Sequence, residues 1–275
     1  MTDARTTDSP GAKAPFPAGA FTADPRPAGA VQMVRAASGL ELRMLLRNGE
    51  QLLLALGIPL AVLIGLSTTS IVELASTPVD PSRRIDIVTP GVLALAILST
   101  AFTSQAITTA FDRRYGVLKR LAAAGVGRSL LIAGKCGAAM VVIVGQWIVL
   151  GAVALLLGWH PHGNPVWLLL LVLLGAAAFI GLALLLGGTL RAEAVLALAN
   201  VVWLVMVVVG GVVIPLTRAP GWLRFVGELS PAGALSTALR AVLQAGTTPA
   251  ATSLAVLAGW VALGWVATVR WFKWQ

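Results

Sequence analysis

The sequence predicts an all-α integral membrane protein with six transmembrane helices. Of its 275 residues, 57% are hydrophobic and 11% are charged, whereas a soluble domain typically has about 25% charged residues. Six apolar runs each have about the 20 residues that cross a hydrocarbon core. The basic residues lie beside these runs, as in cytoplasmic loops. The net charge of +9 therefore indicates a membrane topology rather than a nucleic-acid interface.

Two segments precede the first span. Residues 1–30 are rich in Pro, Ala, Gly and Thr and contain no apolar run, which predicts a disordered cytoplasmic tail without a signal peptide. Residues 31–50 are predicted to form an amphipathic helix in the inner headgroup layer, although a helical linker would have a similar pattern. Val31, Val34, Leu42 and Leu45 share one face of this helix, although Leu40 and Met44 fall outside it.

Residues 51–270 are predicted to form the six-span membrane domain, followed by a cytoplasmic tail at 271–275. A polar outer loop is expected at 73–86, and Lys135 is expected to extend from the third span to the interface. With both termini cytoplasmic, 15 of the 20 Lys and Arg residues lie on the inner side, which favours this orientation. The spans are placed at 51–72, 87–111, 130–157, 166–190, 194–214 and 250–269.

The inner half of the second span is unusually rich in polar side chains. Its hydroxyl and amide groups could pack helices against each other, or they could line a polar translocation path. The pattern leaves both interpretations open. The path candidates in this span are Ser99, Thr103, Gln105 and Thr109.

The loop at 112–129, between the second and third spans, combines basic residues with a short apolar ridge. Val117, Leu118, Leu121 and Ala122 have the spacing of residues on one face of a helix. A solvated connector has no need of such a ridge, so the segment is predicted to dock on a cytoplasmic partner.

The segment at 215–249 is apolar in patches but too interrupted to span the membrane. Ser230 can cap a helix that begins at Pro231 and ends near Gly246, and a shorter helix containing Trp222 should precede it. Irregular backbone at membrane depth must be buried in protein. These features predict a re-entrant or interfacial helical hairpin on the outer side, with an ordinary outer loop as the alternative.

The chemistry that most membrane enzymes and ion-coupled carriers require is missing from the spans. No span has Asp, Glu, His or Arg at its centre, and no Walker-type nucleotide motif occurs. His160 and His162 lack further metal ligands nearby, so no metal site is predicted. The chain is therefore not expected to be an enzyme, and energy for active transport would have to come from a partner.

In this layout the chain resembles the permease subunit of type-2 ABC exporters, a family that includes small antibiotic-resistance exporters and polysaccharide or lipid exporters. Residues 111–135, FDRRYGVLKRLAAAGVGRSLLIAGK, are similar to the family's coupling segment, although Asp112 stands where Glu is commoner. Residues 214–243, IPLTRAPGWLRFVGELSPAGALSTALRAVL, are similar to its outer re-entrant hairpin.

The resemblance implies a half-transporter in the bacterial inner membrane, paired with a second copy or a paralogous permease. Two separate nucleotide-binding subunits would bind ATP and Mg and push on residues 112–129. A path would run mainly along the second and fifth spans, which adds Asn200 to the candidates. The implied coupling residues are Asp112, Arg113, Val117, Leu118, Arg120 and Leu121, and those of the hairpin are Pro220, Trp222, Glu228, Pro231 and Arg240.

The apolar spans and hydroxylated second span favour an amphipathic drug-like or lipid-like substrate, with a polysaccharide or lipid-linked glycan as the alternative. A gradient-driven secondary carrier is a different hypothesis, but such carriers often have corresponding broken helices in both halves, and no internal repeat is evident. A structural or enzyme-anchoring membrane protein is a third hypothesis. It would tolerate the loss of residues 215–249.

Overall fold

A computed structural model describes residues 29–47, 49–69, 81–123, 125–213 and 215–272. Every long regular element in these ranges is a helix, which confirms the all-α prediction. Most of the predicted tail at 1–30 and the end of the predicted tail at 271–275 lie outside the described residues. The α-helices are α1 (Ala30–Arg47), α2 (Gly49–Thr68), α3 (Pro81–Ile97), α4 (Gln105–Arg114), α5 (Val117–Ala123), α6 (Arg128–Leu156), α7 (Pro165–Thr189), α8 (Ala192–Val209), α9 (Gly221–Leu229), α10 (Pro231–Leu243) and α11 (Ala251–Trp271).

The helices account for about six membrane spans, as predicted. Five segments are long and apolar enough to cross a membrane, and α2 contributes a shorter apolar segment, Ala55–Thr68. One of the five, Arg84–Arg114, runs through α3, a π-helical segment at Leu98–Ser104 and α4. This continuous helix is the most enclosed of the five, whereas only 28%, 22% and 28% of the apolar windows of α6, α8 and α11 are buried.

The second span begins earlier than predicted. Helix α3 starts at Pro81, so the expected outer loop at 73–86 is helical over its last six residues. Residues 70–80 lie outside the described part of the chain. The π-helical segment was not expected either. Such segments are rare and often occur at functional sites, and this one coincides with the start of the polar half of the span.

Helix α1 packs along α6 through small residues. A Cβ atom added to Gly134 of α6 would stand 3.0 Å from the Cβ of Ala37, and a Cβ added to Gly137 would overlap the hydroxyl of Ser38. Close helix contacts in membranes commonly use small residues of this kind. Helix α1 is therefore held against α6, and its place in the headgroup layer stays a prediction.

Helices α7 and α11 cross at a pair of glycines. A Cβ atom on Gly181 would lie 3.2 Å from the carbonyl carbon of Gly264. Two hydrogen bonds flank the crossing, since Thr268 Oγ1 donates to the Gly181 carbonyl over 2.8 Å and Trp265 Nε1 donates to the Ala177 carbonyl over 3.1 Å. Small residues and interhelical hydrogen bonds drive helix association where both helices are surrounded by lipid.

The segment after α8 contains both of the helices expected in the hairpin. Helix α10 starts at Pro231, and the Ser230 hydroxyl caps it by accepting a hydrogen bond from the Gly233 N–H over 3.0 Å. Nearly all of α10 is buried, in contact with α3, α7 and α11. Helix α9 instead exposes an apolar face, with Trp222 71% and Phe225 66% exposed. The hairpin therefore has one helix inside the protein and one on its surface.

Candidate functional site

A tight turn joins the second span to the short helix α5. Gly116 has φ +69°, a conformation that side chains with a Cβ rarely adopt, and it follows Tyr115 at the end of α4. The Arg120 guanidinium donates from Nη2 to the Tyr115 carbonyl over 2.8 Å and closes the turn. Helix α5 is thereby connected to the end of the second span by only two residues.

The apolar ridge of α5 is partly used within the chain. Leu118 is only 5% exposed, so its side chain packs against the protein itself rather than presenting a contact to a partner. Val117 and Leu121 are half-buried, whereas Lys119 and Arg120 are exposed. The accessible surface of α5 therefore combines basic side chains with part of an apolar edge.

An apolar groove lies beside Leu121, between α1, α5 and the start of α6. The groove has a volume of about 290 Å³ and is open to the surroundings. Glu41 is its only charged lining residue among those described. The other lining residues are Met33, Ala36, Ala37, Leu40, Leu121, Val126, Leu130 and Leu131.

A cluster of ion pairs fixes the C-terminal end of α4, and we name Asp112, Arg113 and Arg114 with their partners the inner clasp, after the side predicted for this end. The Lys135 ammonium lies 2.6 Å from Asp112 Oδ2 and 3.1 Å from Glu41 Oε1. Its side chain is only 4% exposed. The prediction that Lys135 extends to the interface was therefore wrong, because two carboxylates, from α4 and α1, hold it inside the protein.

The next two residues of the clasp bind two further helices. The Arg113 guanidinium donates to the carbonyls of Gly188 and Leu190 at the C-terminal end of α7. These carbonyls have no partner within the helix, and a cation there also interacts favourably with the helix dipole. Arg114 forms an ion pair with Glu193 in the first turn of α8.

The inner clasp thus ties α4 to four other helices through three consecutive residues. Asp112 pairs with Lys135 of α6, which in turn pairs with Glu41 of α1, while Arg113 connects to α7 and Arg114 to α8. Asp112 and Arg113 were predicted as residues of the coupling surface. Their charged groups bind other residues of the chain and are not free to contact a partner. They therefore hold the end of α4, and with it α5, against the neighbouring helices.

The path candidates of the second span lie inside the chain. Gln105 is 2% and Thr109 1% exposed. Gln105 Oε1, Thr109 Oγ1 and Thr103 Oγ1 have no hydrogen-bond partner among the described residues. Ser99, in the π-helical segment, accepts a hydrogen bond from Trp203 Nε1 of α8 over 3.0 Å. Ser99 and Thr103 are half-buried, so of these four residues only Gln105 and Thr109 are buried, and the second span that carries all four packs against α7 and α8.

Asn200 is exposed, unlike the buried Gln105 and Thr109. It lies on the exposed face of α8, where its Nδ2 donates to the Leu196 carbonyl over 2.8 Å. Its neighbours on that face are apolar, with Val201 58%, Leu204 57% and Val208 63% exposed. A polar side chain on an otherwise apolar membrane face commonly has a partner on another helix.

Arg240 of α10 stabilises the broken backbone that follows α8. Its guanidinium donates to the carbonyls of Gly211 and Val212 over 2.8 and 3.0 Å, and the Ser236 hydroxyl donates to the Gly210 carbonyl over 2.8 Å. Arg240 is only 9% exposed. Gly91 of α3 faces this point, and any side chain there would overlap the Val212 carbonyl.

The remaining hairpin candidates have different environments. Pro220 precedes α9 as its N-cap, and Trp222 is exposed on the apolar face of that helix. Glu228 lies on the surface of α9, where it accepts a hydrogen bond from Arg224 Nε over 2.7 Å. Pro231 is buried at the first position of α10. Of the five hairpin candidates, Arg240 makes the most extensive polar contacts.

Sequence reasoning missed the residues that partner the charged side chains. Glu41, Lys135 and Glu193 complete the inner clasp, and Ser236 shares the role of Arg240. A lysine within an otherwise apolar run was the available signal, since such residues usually pair with another group inside the protein.

Comparison with known proteins matches most of the chain to one family. Residues 34–243 match the family described as ABC-2 type transporter, which is about three quarters of the 275 residues. The matched range extends from α1 to the last residue of α10 and includes the inner clasp, α5 and the hairpin. A search of curated proteins found no significant match.

Proposed function

Because the chain belongs to the ABC-2 type transporter family, we propose that it is the membrane-spanning subunit of an ATP-driven exporter. It is a multi-pass membrane protein of the permease class. ATP and Mg would bind to separate ATPase subunits, and both termini of this chain would lie in the cytoplasm of a bacterial cell. The observation that carries this proposal is a short helix, α5, joined by a two-residue turn to a set of ion pairs and hydrogen bonds that reach four other helices.

The proposed docking surface for the ATPase is α5 together with the groove beside Leu121. The exposed Lys119 and Arg120 supply positive charge, and the groove, which has a volume of about 290 Å³, supplies an apolar surface. Movement of α5 would pass through the two-residue turn into the inner clasp. The buried Leu118 would keep α5 attached to the body of the protein during this movement.

Changing the docking surface should abolish association with the ATPase. The double substitution Arg120→Glu with Leu121→Asp reverses one charge and places a second in the apolar groove. We expect at least about a tenfold loss of co-purified ATPase, because a buried unpaired charge at an interface costs more than 1.4 kcal/mol. The measurement is affinity purification of the tagged chain after co-expression with the ATPase subunit encoded nearest to it.

A matched control is available at the other end of the molecule. Arg224→Glu with Phe225→Asp makes the same pair of chemical changes on the exposed surface of α9. This variant should retain the ATPase. Each variant must first elute as a monodisperse peak in size-exclusion chromatography. The proposed docking surface would then be contradicted if both variants retained the ATPase equally, or if both lost it equally.

We also propose that the exposed face of α8 pairs with a second permease subunit, either an identical copy or a paralogue. The support for this is Asn200, the polar residue on a face otherwise made of Val201, Leu204 and Val208. Pairing would remove its side-chain amide from lipid. It would also place α8 at the centre of the assembly, next to the polar half of the second span.

Cross-linking tests this arrangement. In a Cys136→Ala background, Val201→Cys should form an oxidised dimer in membranes, because an interface centred on Asn200 brings the two copies of α8 together. Val266→Cys on α11 is the control, since this position is similarly exposed, at 65%, but lies on a different helix. Cross-linking at Val266 and none at Val201 would contradict the proposed pairing, and the readout is a non-reducing gel.

The proposed substrate is an amphipathic drug-like or lipid-like molecule that is moved out of the cytoplasm. The support comes from the composition of the candidate path, in which the hydroxyls of Thr103 and Thr109 and the amide of Gln105 are surrounded by apolar helices. Efflux and antibiotic resistance are the corresponding roles. They are tested by substrate accumulation in cells that express the chain together with its ATPase.

A further inference from the structure

An open cavity of about 300 Å³ lies at the inner end of the protein, between the end of α4 and the start of α8. Three arginines line it, together with Ala110, Ala192 and Glu193. Two of the arginines, Arg113 and Arg114, belong to the inner clasp. The third is Arg191, which precedes α8. The lining carries three positive charges and one negative charge.

Arg191 differs from the other two arginines because its side chain forms no hydrogen bond or ion pair with the part of the chain that the structure describes. It is exposed and stands immediately before α8. Its guanidinium therefore retains all five donor groups for another molecule. Arg114 uses one nitrogen on Glu193 and retains others.

The backbone adds further donors to the same cavity. The first intrahelical bond of α8 runs from the Val195 N–H to the Arg191 carbonyl over 2.9 Å. The N–H groups of Ala192, Glu193 and Ala194 precede it, and within the described residues no side chain caps this helix end. Unpaired N–H groups at the start of a helix favour an anion, and here they adjoin arginine side chains around a cavity.

We propose that this cavity binds a phosphate group, as carried by the headgroup of an anionic phospholipid in the inner leaflet. Guanidinium groups match phosphate oxygens in pairs, and basic pockets between the cytoplasmic ends of membrane helices suit anionic headgroups. The choice of leaflet rests on the proposed topology, but the site does not depend on which molecule is transported. Arg191 and Arg114 would bind the phosphate, while Arg113 stays on the α7 carbonyls.

Lipid retention by the full-length chain tests this site. The protein is purified from nanodiscs containing equal amounts of phosphatidylglycerol and phosphatidylcholine, and native mass spectrometry counts the lipids retained. The wild-type chain should retain phosphatidylglycerol preferentially. Arg191→Ala should reduce this preference about fivefold, the factor expected for one basic residue at a membrane surface, and Arg191→Lys should restore part of it.

Arg43→Ala is the matched control, because Arg43 is an exposed arginine of α1 on the same side of the protein and lies outside the cavity. It should leave the preference unchanged. An equal reduction by Arg43→Ala and Arg191→Ala would overturn the proposal, since it would indicate general surface charge. Retention of phosphatidylcholine as strong as that of phosphatidylglycerol, without stabilisation by inorganic phosphate, would overturn it as well.

A second arm separates the two sources of phosphate. Inorganic phosphate is added to the chain in a lipid-free neutral detergent, and thermal unfolding is followed for the wild type and for Arg191→Ala. Inorganic phosphate could stabilise the wild type but not Arg191→Ala, while the wild type shows no preference for phosphatidylglycerol. This result would support a phosphate site but assign it to a soluble ligand. No effect of Arg191→Ala in either arm would overturn the proposal.

Discussion

Replacing Lys135 with methionine is expected to lower the free energy of unfolding by about 3 kcal/mol. The substitution keeps the length of the side chain but leaves the carboxylates of Asp112 and Glu41 facing each other without the ammonium that now separates them. Both carboxylates are mostly enclosed, with side chains 21% and 14% exposed. Stability is measured by titration of the detergent-solubilised chain with sodium dodecyl sulfate.

Removing the carboxylate charges in the same background should recover part of this loss. The triple variant Lys135→Met, Asp112→Asn and Glu41→Gln has no uncompensated charge, and neutral replacements of buried ion pairs are often well tolerated. Asp112→Asn alone should cost less than Lys135→Met, because Glu41 remains as a partner for the lysine. If Lys135→Met lowered the free energy of unfolding by less than about 1 kcal/mol, the value expected for a solvent-exposed ion pair, the prediction would be contradicted.

Replacing Arg240 with methionine should have a similarly large effect at the other end of the molecule. The carbonyls of Gly211 and Val212 would lose their donors inside the protein, and each unsatisfied buried group costs about 1–3 kcal/mol. The expected loss in free energy of unfolding is about 3 kcal/mol. Arg240→Lys should be intermediate, since an ammonium lacks the planar fork that now reaches both carbonyls.

Arg224→Met provides the comparison within the same hairpin. Arg224 is about half exposed and pairs with Glu228 one turn away on α9, an interaction worth about 0.3–0.5 kcal/mol. Equal destabilisation by Arg224→Met and Arg240→Met would contradict the role assigned to Arg240. The same titration measures both variants.

The spans and the hairpin were predictable because their signals are local in sequence. About 20 consecutive apolar residues define each span, and Ser230 followed by Pro231 marks the start of α10 as it is observed. The π-helical segment at Leu98–Ser104 was not predictable in this way. Its residues are ordinary members of a membrane helix, and packing of the second span against its neighbours decides its hydrogen-bond pattern.

The candidate site was less predictable because its contacts join residues that are far apart in sequence. Asp112 lies 23 positions from Lys135, and Arg113 lies 75 positions from Gly188. Charge and spacing identified residues 112–129 as important, but they could not distinguish side chains that face a partner from those that hold the protein together. The burial of Leu118 shows the same limit, since one face of a short helix can pack inward or remain exposed.

The inner clasp also restricts which motions the second span can make. Successive residues of an α-helix point about 100° apart around its axis, so Asp112, Arg113 and Arg114 extend in three different directions to three different sides. A twist of α4 about its own axis would strain all three contacts at once. If the ATPase pushes on α5 as proposed, the clasped helix ends would shift or tilt together. Rotation of α4 about its own axis would be resisted.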